Sequence, residues 1–598
     1  MTDTGPDAYR RELAALRDEL RELRSDAVSA EDRARERIDA VHPDHRHGAR
    51  NLHHYLALRA QDLRPLQERL SAAGLSSLGR MEGDVLRNLD AVLGILTTAL
   101  DDEPSSVPAG GDRDPHDLRV NAAELLGGEA EDRGTRIMVT LPSEAADDAS
   151  LVRGFAAAGM DLARINCAHD DDRAWRRMAG HVRDADGAIR IAMDLGGPKL
   201  RTGPLAEGPH IVKVKPKRDA AGCVTEPARL LLVPPDAGGV GDAPSVPVDD
   251  AAWLPERAVG DTVRFTDARG RRRKMHVARA DARGVLIEGD RTAYVEEGAV
   301  LRSGDHETAV GAVEPVEGSL RIAKGDTIIL TSSLGAATSE DGRHRIGCTL
   351  PEALDAVRQG HRIAFDDGKI AGVVRTVKAG AAIVEVTGAP DGGAKLKAEK
   401  GINLPDTDLP VSALTDDDIA ALDVVVEIAD IVELSFARTA GDVRRLIDEL
   451  DSRGADHLGI VVKLETTQGF RALPEIVLEL MRRPRAGIMI ARGDLAVEAG
   501  FERLAEVQEE MLWLCEAARL PVVWATQVLD DLAKRGVPTR AEITDAATAN
   551  RAECVMLNKG PRIDDAIRTL DDILRRMEGH MDKKRPLLRR LKAWLAES

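Results

Sequence analysis

The sequence predicts an α/β protein: a (β/α)8 TIM barrel with an inserted β-rich lid domain and an N-terminal helical region. Eight short apolar runs between residues 135 and 559 alternate with amphipathic helical stretches. Near-continuous apolar strands separated by helices are typical of a parallel sheet, and eight of them favour a closed barrel. The interval 201–396 breaks this rhythm with β-like runs, whereas the first hundred residues carry only helical periodicity.

The composition excludes several functional classes. A chain of 598 residues is long enough for three or four domains, and its net charge of -19 argues against a general nucleic-acid binder. No apolar run approaches the length of a membrane span, and the charged N-terminus is unlike a secretory signal. The five cysteines are scattered without CxxC spacing, which is typical of reduced thiols. We therefore expect a cytoplasmic protein with no membrane or nucleic-acid partner.

The N-terminal region, residues 1–130, is predicted to be a helical accessory region that ends in a linker. Its apolar residues follow helical spacing in three stretches, 6–40, 51–70 and 81–100. The segment 101–117 is rich in Pro, Gly and Asp, which predicts a linker. The sequence of this region does not by itself indicate a task.

The barrel is predicted to occupy residues 131–200 and 397–585, with 586–598 as a C-terminal tail. Each of its strands is a short apolar run followed by polar or turn residues. The predicted strands are 135–141, 162–166, 189–195, 430–436, 458–465, 486–492, 521–527 and 553–559.

Functional side chains gather at the C-terminal ends of these strands. In a barrel all of those ends face one mouth, where the active sites of this fold are built. The residues concerned are Arg164, Asn166, Asp194, Ser435, Phe436, Lys463, Glu465, Arg492, Asp494, Thr526, Gln527 and Asn558. So many converging polar groups predict a catalytic pocket.

The third strand continues into "DLGGPKLRTG" (194–203), where two glycines and a proline precede Lys199 and Arg201. Glycine lets the backbone approach a ligand closely, and the two cations would then lie beside that ligand. The alternative is a surface turn with solvated charges. The β-rich interval 201–396 that follows is predicted to form a lid domain over the mouth.

From about residue 135 to 580 the chain resembles the pyruvate kinase family. The motifs that carry the resemblance are "ARINCAH" (163–169), "DLGGPKLRTG" (194–203), "FDDGKI" (365–370), "EKGINLPDTDLP" (399–410), "SFARTAGDV" (435–443), "KLETTQG" (463–469), "IMIARGDLAVE" (488–498), "ATQVL" (525–529) and "PTRAEITD" (538–545). The resemblance implies transfer of a phosphoryl group from phosphoenolpyruvate to ADP, with Mg2+ or alternatively Mn2+ as cofactor, in a homo-oligomer.

The resemblance also implies a role for individual residues. Catalytic roles fall to Lys463, Thr526, Arg164, Lys199 and Arg201. Substrate binding falls to Arg164, Lys463, Gly493, Asp494 and Thr526. The nucleotide would be bound by Asn166, His169 and Lys400, and the metal by Glu465 and Asp494. Backbone N–H groups of "ARGDLAVE" are expected to be free for the substrate carboxylate.

Two positions depart from the family members that hold a K+ ion. Ala168 and Leu195 stand where those enzymes supply a serine and a threonine oxygen, while Asn166 and Asp194 are kept. Lys199 stands where they have a glutamate, and an ammonium is a compact charge that replaces such an ion. We therefore expect that K+ is not required.

Other departures keep alternatives open. The last predicted strand ends in "MLNKGP" (556–561), the insertion is about twice the expected length, and no counterpart of the family's C-terminal domain is expected before Ser598. A catalytically weak paralogue that binds phosphoenolpyruvate or a nucleotide and acts on a partner remains an alternative. A lyase of the related phosphoenolpyruvate-binding barrels is a third, less favoured because those enzymes need no large lid.

Overall fold

The structure is a computed structural model that describes residues 6–101, 118–235, 237 and 243–578. The predicted linker at 102–117 and the predicted tail at 586–598 lie outside the described residues. The chain divides into two units, the first made of 1–200, 352–374 and 401–598 and the second of 201–351 and 375–400. The domain limits given above stay predictions, and each unit is described by itself below.

The first unit contains a closed barrel of eight parallel strands, which confirms the predicted fold class. We number its strands β1 to β8 in chain order, and neighbours in this order pair with each other. They are Arg136–Thr140, Leu162–Asn166, Arg190–Asp194, Ile431–Leu434, Gly459–Leu464, Ala486–Ala491, Val522–Ala525 and Cys554–Leu557. The register places Arg136 of β1 beside Cys554 of β8, which closes the ring.

Helices surround the barrel, and several begin with a threonine that caps the first turn. Thr415, Thr439 and Thr539 each form a capping box with an acidic residue three positions later, which satisfies backbone N–H groups at the helix start. The helices are Ala149–Ala158, Asp172–Ala185, Asp416–Ile428, Ala440–Ser452, Thr467–Arg471, Leu473–Leu480, Arg492–Ala499, Leu504–Ala518, Asp530–Arg535, Arg540–Ala549 and Ile563–Met577, with a 3-10 turn at Ser143–Ala146. Among the described residues, no helix is long and apolar enough to cross a membrane.

Each barrel strand is buried on both faces, which explains its near-continuous apolar sequence. In β1, Ile137 and Val139 pack outward under the helices, while Met138 points into the barrel. The interior is filled at its N-terminal end by Leu125 and Leu126, which belong to the helix Leu118–Leu126. Arg136 at the start of β1 is also buried at this end, where it donates to the carbonyl oxygens of Gly127 and Gly134.

The N-terminal helices belong to the same unit as the barrel. They are Pro6–Arg33, Arg35–Asp39, Arg46–Arg59, Arg64–Ala72, Val85–Asp101 and Leu118–Leu126, with a 3-10 turn at Pro43–His45. The stretch 51–70, for which helical spacing predicts helix, contains parts of two helices, because the helix that ends at Arg59 is followed by another that begins at Arg64 with Pro65 in its first turn. At Gly48 an added Cβ would lie 2.3 Å from the carbonyl oxygen of Ala518, so only glycine permits this close packing.

The second unit is β-rich, and its first part is a folding module with its own core. We call residues 209–316 the first β module. Its strands are Ile211–Val214, Lys217–Arg218, Val224–Glu226, Ala228–Val233, Ser245–Pro247, Thr262–Thr266, Arg272–Asp281, Gly284–Gly289, Ala293–Glu296, Val300–Ser303 and His306–Ala309, with a 3-10 turn at Ala251–Trp253. Its buried apolar residues form a separate cluster between Val214 and Val313.

A second group of strands follows the first β module. Thr327–Thr331 is central there, pairing in parallel with Arg343–Gly347 and antiparallel with Ala381–Gly388. The second unit also contains the strands Leu320–Ile322, Thr338–Glu340 and Ala394–Leu396. The helix Ala353–Ala356 and the strands Arg362–Phe365 and Ile402–Asn403 belong to the first unit, and the limits of the two units divide the strand Ile370–Lys378 after Val374. Where the sequence predicts a single insertion, the described strands of this β-rich part of the chain form two seven-stranded sheets and three two-stranded ones.

Candidate active site

Three charged side chains meet inside the C-terminal end of the barrel. Arg164 on β2, Asp194 on β3 and Lys463 on β5 are each less than a tenth exposed. Lys463 Nζ lies 2.9 Å from Asp194 Oδ1, and Arg164 Nη2 donates to Asp194 Oδ2. The structure therefore brings together two of the predicted catalytic cations around one carboxylate.

The buried charges of this cluster determine one another's pKa values. Burial alone would raise the pKa of Asp194, but Arg164 and Lys463 hold it below its ordinary value. Burial disfavours the Lys463 ammonium, but Asp194 and Glu465 outweigh that effect and raise its pKa above the ordinary value. Lys463 is therefore a fully charged ammonium group in a site with little water.

Glu433 on β4 is a member of this cluster that the sequence-based assignment missed. It is fully buried, and its Oε2 accepts a hydrogen bond of 3.0 Å from Arg164 Nε. Its Oε1 has no hydrogen-bond partner among the described residues, and burial raises the pKa of its carboxyl group. The available signal was a single charge inside the apolar run "DIVELSF", two positions before Ser435 and so on the same strand face.

Ser435 connects the ends of β3, β4 and β5. Its Oγ accepts a hydrogen bond of 2.7 Å from Lys463 Nζ and donates to the carbonyl oxygen of Leu195 at 2.7 Å. Ser435 was noted at a strand end but given no role. Its contacts show that it positions the ammonium group.

The two predicted metal ligands lie at the edge of the cluster. Glu465 Oε1 is 3.1 Å from Lys463 Nζ, and Glu465 Oε2 accepts a hydrogen bond of 2.8 Å from the Phe436 amide. Asp494 Oδ1 accepts one of 3.3 Å from Asn403. Burial, opposed by Lys463 and reinforced by Asp494, raises the pKa of Glu465, so a cation between these carboxylates would relieve their repulsion.

The donor set of this pair fits a hard divalent cation. Mg2+ prefers carboxylate oxygens and keeps several waters, so one or two protein carboxylates are enough when substrate oxygens complete its shell. In the described part of the chain, no three His, Cys, Asp or Glu side chains are grouped to hold a metal by themselves. Glu465 and Asp494 therefore suit a metal that is shared with substrate.

Lys199 lies beside the predicted metal ligands. Its ammonium is 3.5 Å from Asp494 Oδ2 and 5.9 Å from the centre of the Phe436 ring, and about a third of its side chain is exposed. Leu195 is fully buried, and Asn166 Oδ1 accepts a hydrogen bond of 2.9 Å from the Ala168 amide. The turn that carries Lys199 therefore directs a cation at the site instead of into solvent.

Thr526 follows β7 in a strained backbone. Its φ is +67°, and Gln527 and Leu529 after it also have positive φ values, which are rare for residues with a Cβ and costly for a β-branched side chain. Gly493 donates its backbone N–H to Thr526 Oγ1 at 2.7 Å. The expectation that the amides at this helix start are free is thus wrong for Gly493.

Three predicted residues are not part of the buried cluster. His169 is exposed, and its carbonyl oxygen accepts a hydrogen bond from Trp175. Arg201 and Lys400 belong to the second unit, where Arg201 donates to the carbonyl oxygen of Glu399 and the Lys400 amide donates to Thr202. Their predicted roles in catalysis and nucleotide binding stay predictions.

Comparison with known proteins identifies relatives of the barrel. The family model of the pyruvate kinase barrel domain matches residues 296–561. A pyruvate kinase of Corynebacterium efficiens is 33% identical over 283 residues, which are 45% of this chain and 57% of that protein. A pyruvate kinase of Geobacillus stearothermophilus is 31% identical over 46% of each chain, and one of Methanocaldococcus jannaschii is 32% identical over 38% of this chain and 51% of its own.

The chain thus spans about half the length of the curated relatives that it matches. The match covers the fourth to eighth barrel strands and the second group of inserted strands. Strands β1 to β3, the N-terminal helices and most of the first β module lie outside the family match.

Proposed function

We propose that the protein is a member of the pyruvate kinase family, which its match to the barrel-domain model over residues 296–561 supports, and that it transfers the phosphoryl group of phosphoenolpyruvate to ADP, forming pyruvate and ATP. The observation that carries the proposal is the buried ammonium of Lys463, held between Asp194, Ser435 and Glu465. A charged group fixed in a site with little water stabilises developing negative charge without having to reorganise.

The reaction breaks the bond between the phosphorus and the enol oxygen and forms a bond to a terminal oxygen of ADP. Negative charge develops on the enol oxygen and on the transferred group, so catalysis depends on positioned cations. Lys463 is proposed to neutralise this charge, and Arg164 to bind the substrate phosphate. Hydrogen bonds from Arg164 to Thr140 and Glu433 hold its guanidinium in one orientation.

Glu465 and Asp494 are proposed to hold Mg2+, with Mn2+ as an alternative ion. When bound, such an ion supplies a further positive charge for substrate oxygens. The protein's own part is to keep both carboxylates oriented, through the Phe436 amide and Asn403. ADP and ATP are proposed to bind near Asn166 and His169 of the first unit.

The enolate that remains must take a proton on carbon to become pyruvate. Thr526 is proposed to assist this step. Because its oxygen accepts the Gly493 N–H, its own hydroxyl proton is directed elsewhere and remains available to a hydrogen-bond acceptor. The strained loop that holds Thr526 is consistent with a position set by function.

Independence from K+ is also part of the proposal. Asp194 has both oxygens engaged by Arg164 and Lys463, and Lys199 supplies a fixed cation close by. Turnover should therefore be the same in K+, Na+ or a bulky organic cation at matched ionic strength, since screening alone affects charged substrates. Activity that is absent without K+ and restored by it would contradict this part of the proposal.

The activity is tested by following pyruvate release from phosphoenolpyruvate, ADP and Mg2+ in the purified protein. We expect Lys463→Met to lower turnover by a factor of about a hundred or more, as for the loss of a group that stabilises transition-state charge. Lys534→Met is the matched control, because Lys534 is an exposed lysine of the same unit, paired with Asp530. It should leave turnover unchanged.

If the wild-type protein forms no more pyruvate than Lys463→Met, the proposed reaction is wrong. Binding of phosphoenolpyruvate or nucleotide without turnover would then support the alternative, a regulatory paralogue. Cytoplasmic location and a homo-oligomeric state remain predictions.

A further inference from the structure

The first β module carries a dense run of cations, "RGRRRK" at 269–274, in a chain whose net charge is -19. Most of this module precedes residue 296, where the family match begins. These charges therefore lie in a part of the chain to which the proposed phosphoryl transfer assigns no role.

The strand Arg272–Asp281 presents these charges on one face. Arg273, Met275 and Val277 point into the core of the module, so that Arg272, Lys274 and His276 between them point outward. Across the antiparallel ladder, Lys274 lies directly opposite Arg264, which is also exposed. Like charges at directly opposed positions destabilise a sheet, so folding alone does not favour this arrangement.

The acidic residues close to this face do not neutralise it. Asp267 is paired with Arg269 at 3.0 Å and with the inward-pointing Arg273 at 2.8 Å. Glu288 is paired with Arg229 at 2.8 Å. The cations left over are Arg264, Arg271, Arg272, Lys274 and Arg291, none of which forms an ion pair with any residue that the structure describes.

Three of these unpaired cations border a cavity of about 870 Å³. Arg272, Lys274 and Arg291 line it together with His276, and Asp290 is the one lining carboxylate that has no ion pair within the described residues. We call this feature the cation cleft. Its volume lies within the range of sites for small organic ligands.

We propose that the cation cleft binds a small anion that carries two or more phosphate groups. Guanidinium and ammonium groups form their strongest hydrogen bonds with phosphate oxygens, and three converging unpaired cations fit more than one phosphate. A long polyanion such as nucleic acid fits less well, because the strongly negative chain around the module would repel it. The cleft is thus a ligand site separate in sequence from the catalytic residues.

The proposal is tested by calorimetric titration of the full chain with inorganic tripolyphosphate. We expect saturable binding, and we expect Arg272→Ala combined with Lys274→Ala to weaken it about tenfold or more, as two charge-assisted contacts are lost. The matched control is Lys324→Ala with Lys378→Ala, which removes two exposed lysines from the same unit and should leave the affinity unchanged. Lys463→Met should also leave it unchanged, which separates this test from that of the proposed function.

Equal affinity of the Arg272/Lys274 variant and the wild type would overturn the proposal, as would the absence of saturable binding. Binding of a single-stranded DNA or RNA oligonucleotide through Arg272 and Lys274, without binding of tripolyphosphate, would also overturn it in favour of a nucleic-acid surface.

Discussion

Arg164 is held from three directions, by Thr140, by Asp194 and by Glu433. Of these, Glu433 supplies the contact to Nε, and it does so from a fully buried position. Glu433→Leu removes this acceptor, so Arg164 would lose one of the bonds that orient it toward substrate. Hydrogen bonds to charged groups contribute about 1.5–3 kcal/mol, so we expect turnover in the phosphoenolpyruvate assay to fall about tenfold or more.

Glu433→Gln is the control for this prediction. Its amide oxygen still accepts from Arg164 Nε, so the variant should retain most of the turnover that Glu433→Leu loses. If both variants turn over as fast as the wild type, Glu433 has no part in positioning Arg164. A melting temperature close to that of the wild type shows that the barrel is intact in both.

We expect Glu498 to make the free energy of unfolding depend on pH. It is 7% exposed, and burial, opposed by the Asn403 hydrogen bond and reinforced by Asp494, raises its pKa to about 7. A carboxyl group whose pKa is higher in the folded than in the unfolded state destabilises the fold progressively as pH rises from its unfolded value toward 7. Since one pKa unit corresponds to about 1.4 kcal/mol, the cost above pH 7 is up to about 3 kcal/mol.

Glu498→Gln should therefore be more stable than the wild type at pH 8 and nearly equal to it at pH 4.5. Denaturant unfolding of both proteins across this range measures the difference. A difference that stays constant between pH 4.5 and 8 would show that Glu498 ionises normally in the folded chain.

At the residue scale, the sequence predicted site residues correctly where several strands end in charged side chains. It did not predict a role for Glu433, which is a single charge inside an apolar strand. Lys463 and Asp194 could be located because polar groups at strand ends of a barrel must meet at one mouth. Glu433 could not be assigned from one charge in an apolar strand, because the sequence does not show which cation it faces across the barrel. The engagement of the Gly493 amide by Thr526 depends on the conformation of the loop after β7, which strand periodicity does not specify.

At the scale of single elements, the short helix Leu118–Leu126 closes the N-terminal end of the barrel. Leu125 is 2% exposed and fits against two glycines near the starts of β5 and β6. A Cβ added to Gly459 would lie 2.4 Å from Leu125 Cδ1, and one added to Gly487 would lie 2.6 Å from Leu125 Cδ2. The two glycines therefore provide the space that this leucine fills.

Substitution of Leu125 or of Gly459 should destabilise the protein, and the effects of the two substitutions should be coupled. Leu125→Ala leaves a cavity and should cost about 2–5 kcal/mol, whereas Gly459→Ala should destabilise the protein by overpacking. In the double variant the added methyl group occupies space vacated by Leu125. The double variant should therefore lose less free energy of unfolding than the two single variants lose together. Chemical unfolding of all four proteins measures this coupling, and strictly additive losses would show that the two residues do not share the space.

The strands were easier to predict than the helices at this scale. Barrel strands buried on both faces produce short apolar runs with sharp limits, so the predicted and observed strands agree closely. The stretch 51–70 keeps helical spacing through Leu52, Leu56, Leu58, Leu63 and Leu66, yet a new helix begins there at Arg64, with Pro65 in its first turn. Apolar periodicity alone does not show such a break, because Tyr55 and Leu58 of the first helix and Leu66 and Leu70 of the second are buried in the same cluster.

For the whole molecule, the sequence predicted an insertion but not its division. Short β-like runs in 201–396 indicate strands, whereas their pairing depends on contacts between residues distant in the chain.

The first β module is separable because its ends meet. Gly208 donates its N–H to the carbonyl oxygen of Val316 at 3.0 Å, and Val316 donates to that of Pro209 at the same distance. The core of the module lies wholly between these ends.

Deleting residues 209–316 and joining Gly208 to Glu317 should therefore leave a chain that folds. The junction needs little rearrangement because residues 208 and 316 are already hydrogen-bonded, and the removed segment carries its own core with it.

Under the proposed function, the shortened protein should keep turnover within about tenfold of the wild type, because the buried catalytic cluster is intact. It should also lose tripolyphosphate binding, since the cation cleft lies wholly in the deleted segment. Circular dichroism, the pyruvate assay and calorimetry measure the three outcomes. A shortened chain that folds with the helix and strand content of the remaining residues but forms no pyruvate would show that the first β module is required for phosphoryl transfer, and its role would then be part of the catalytic cycle.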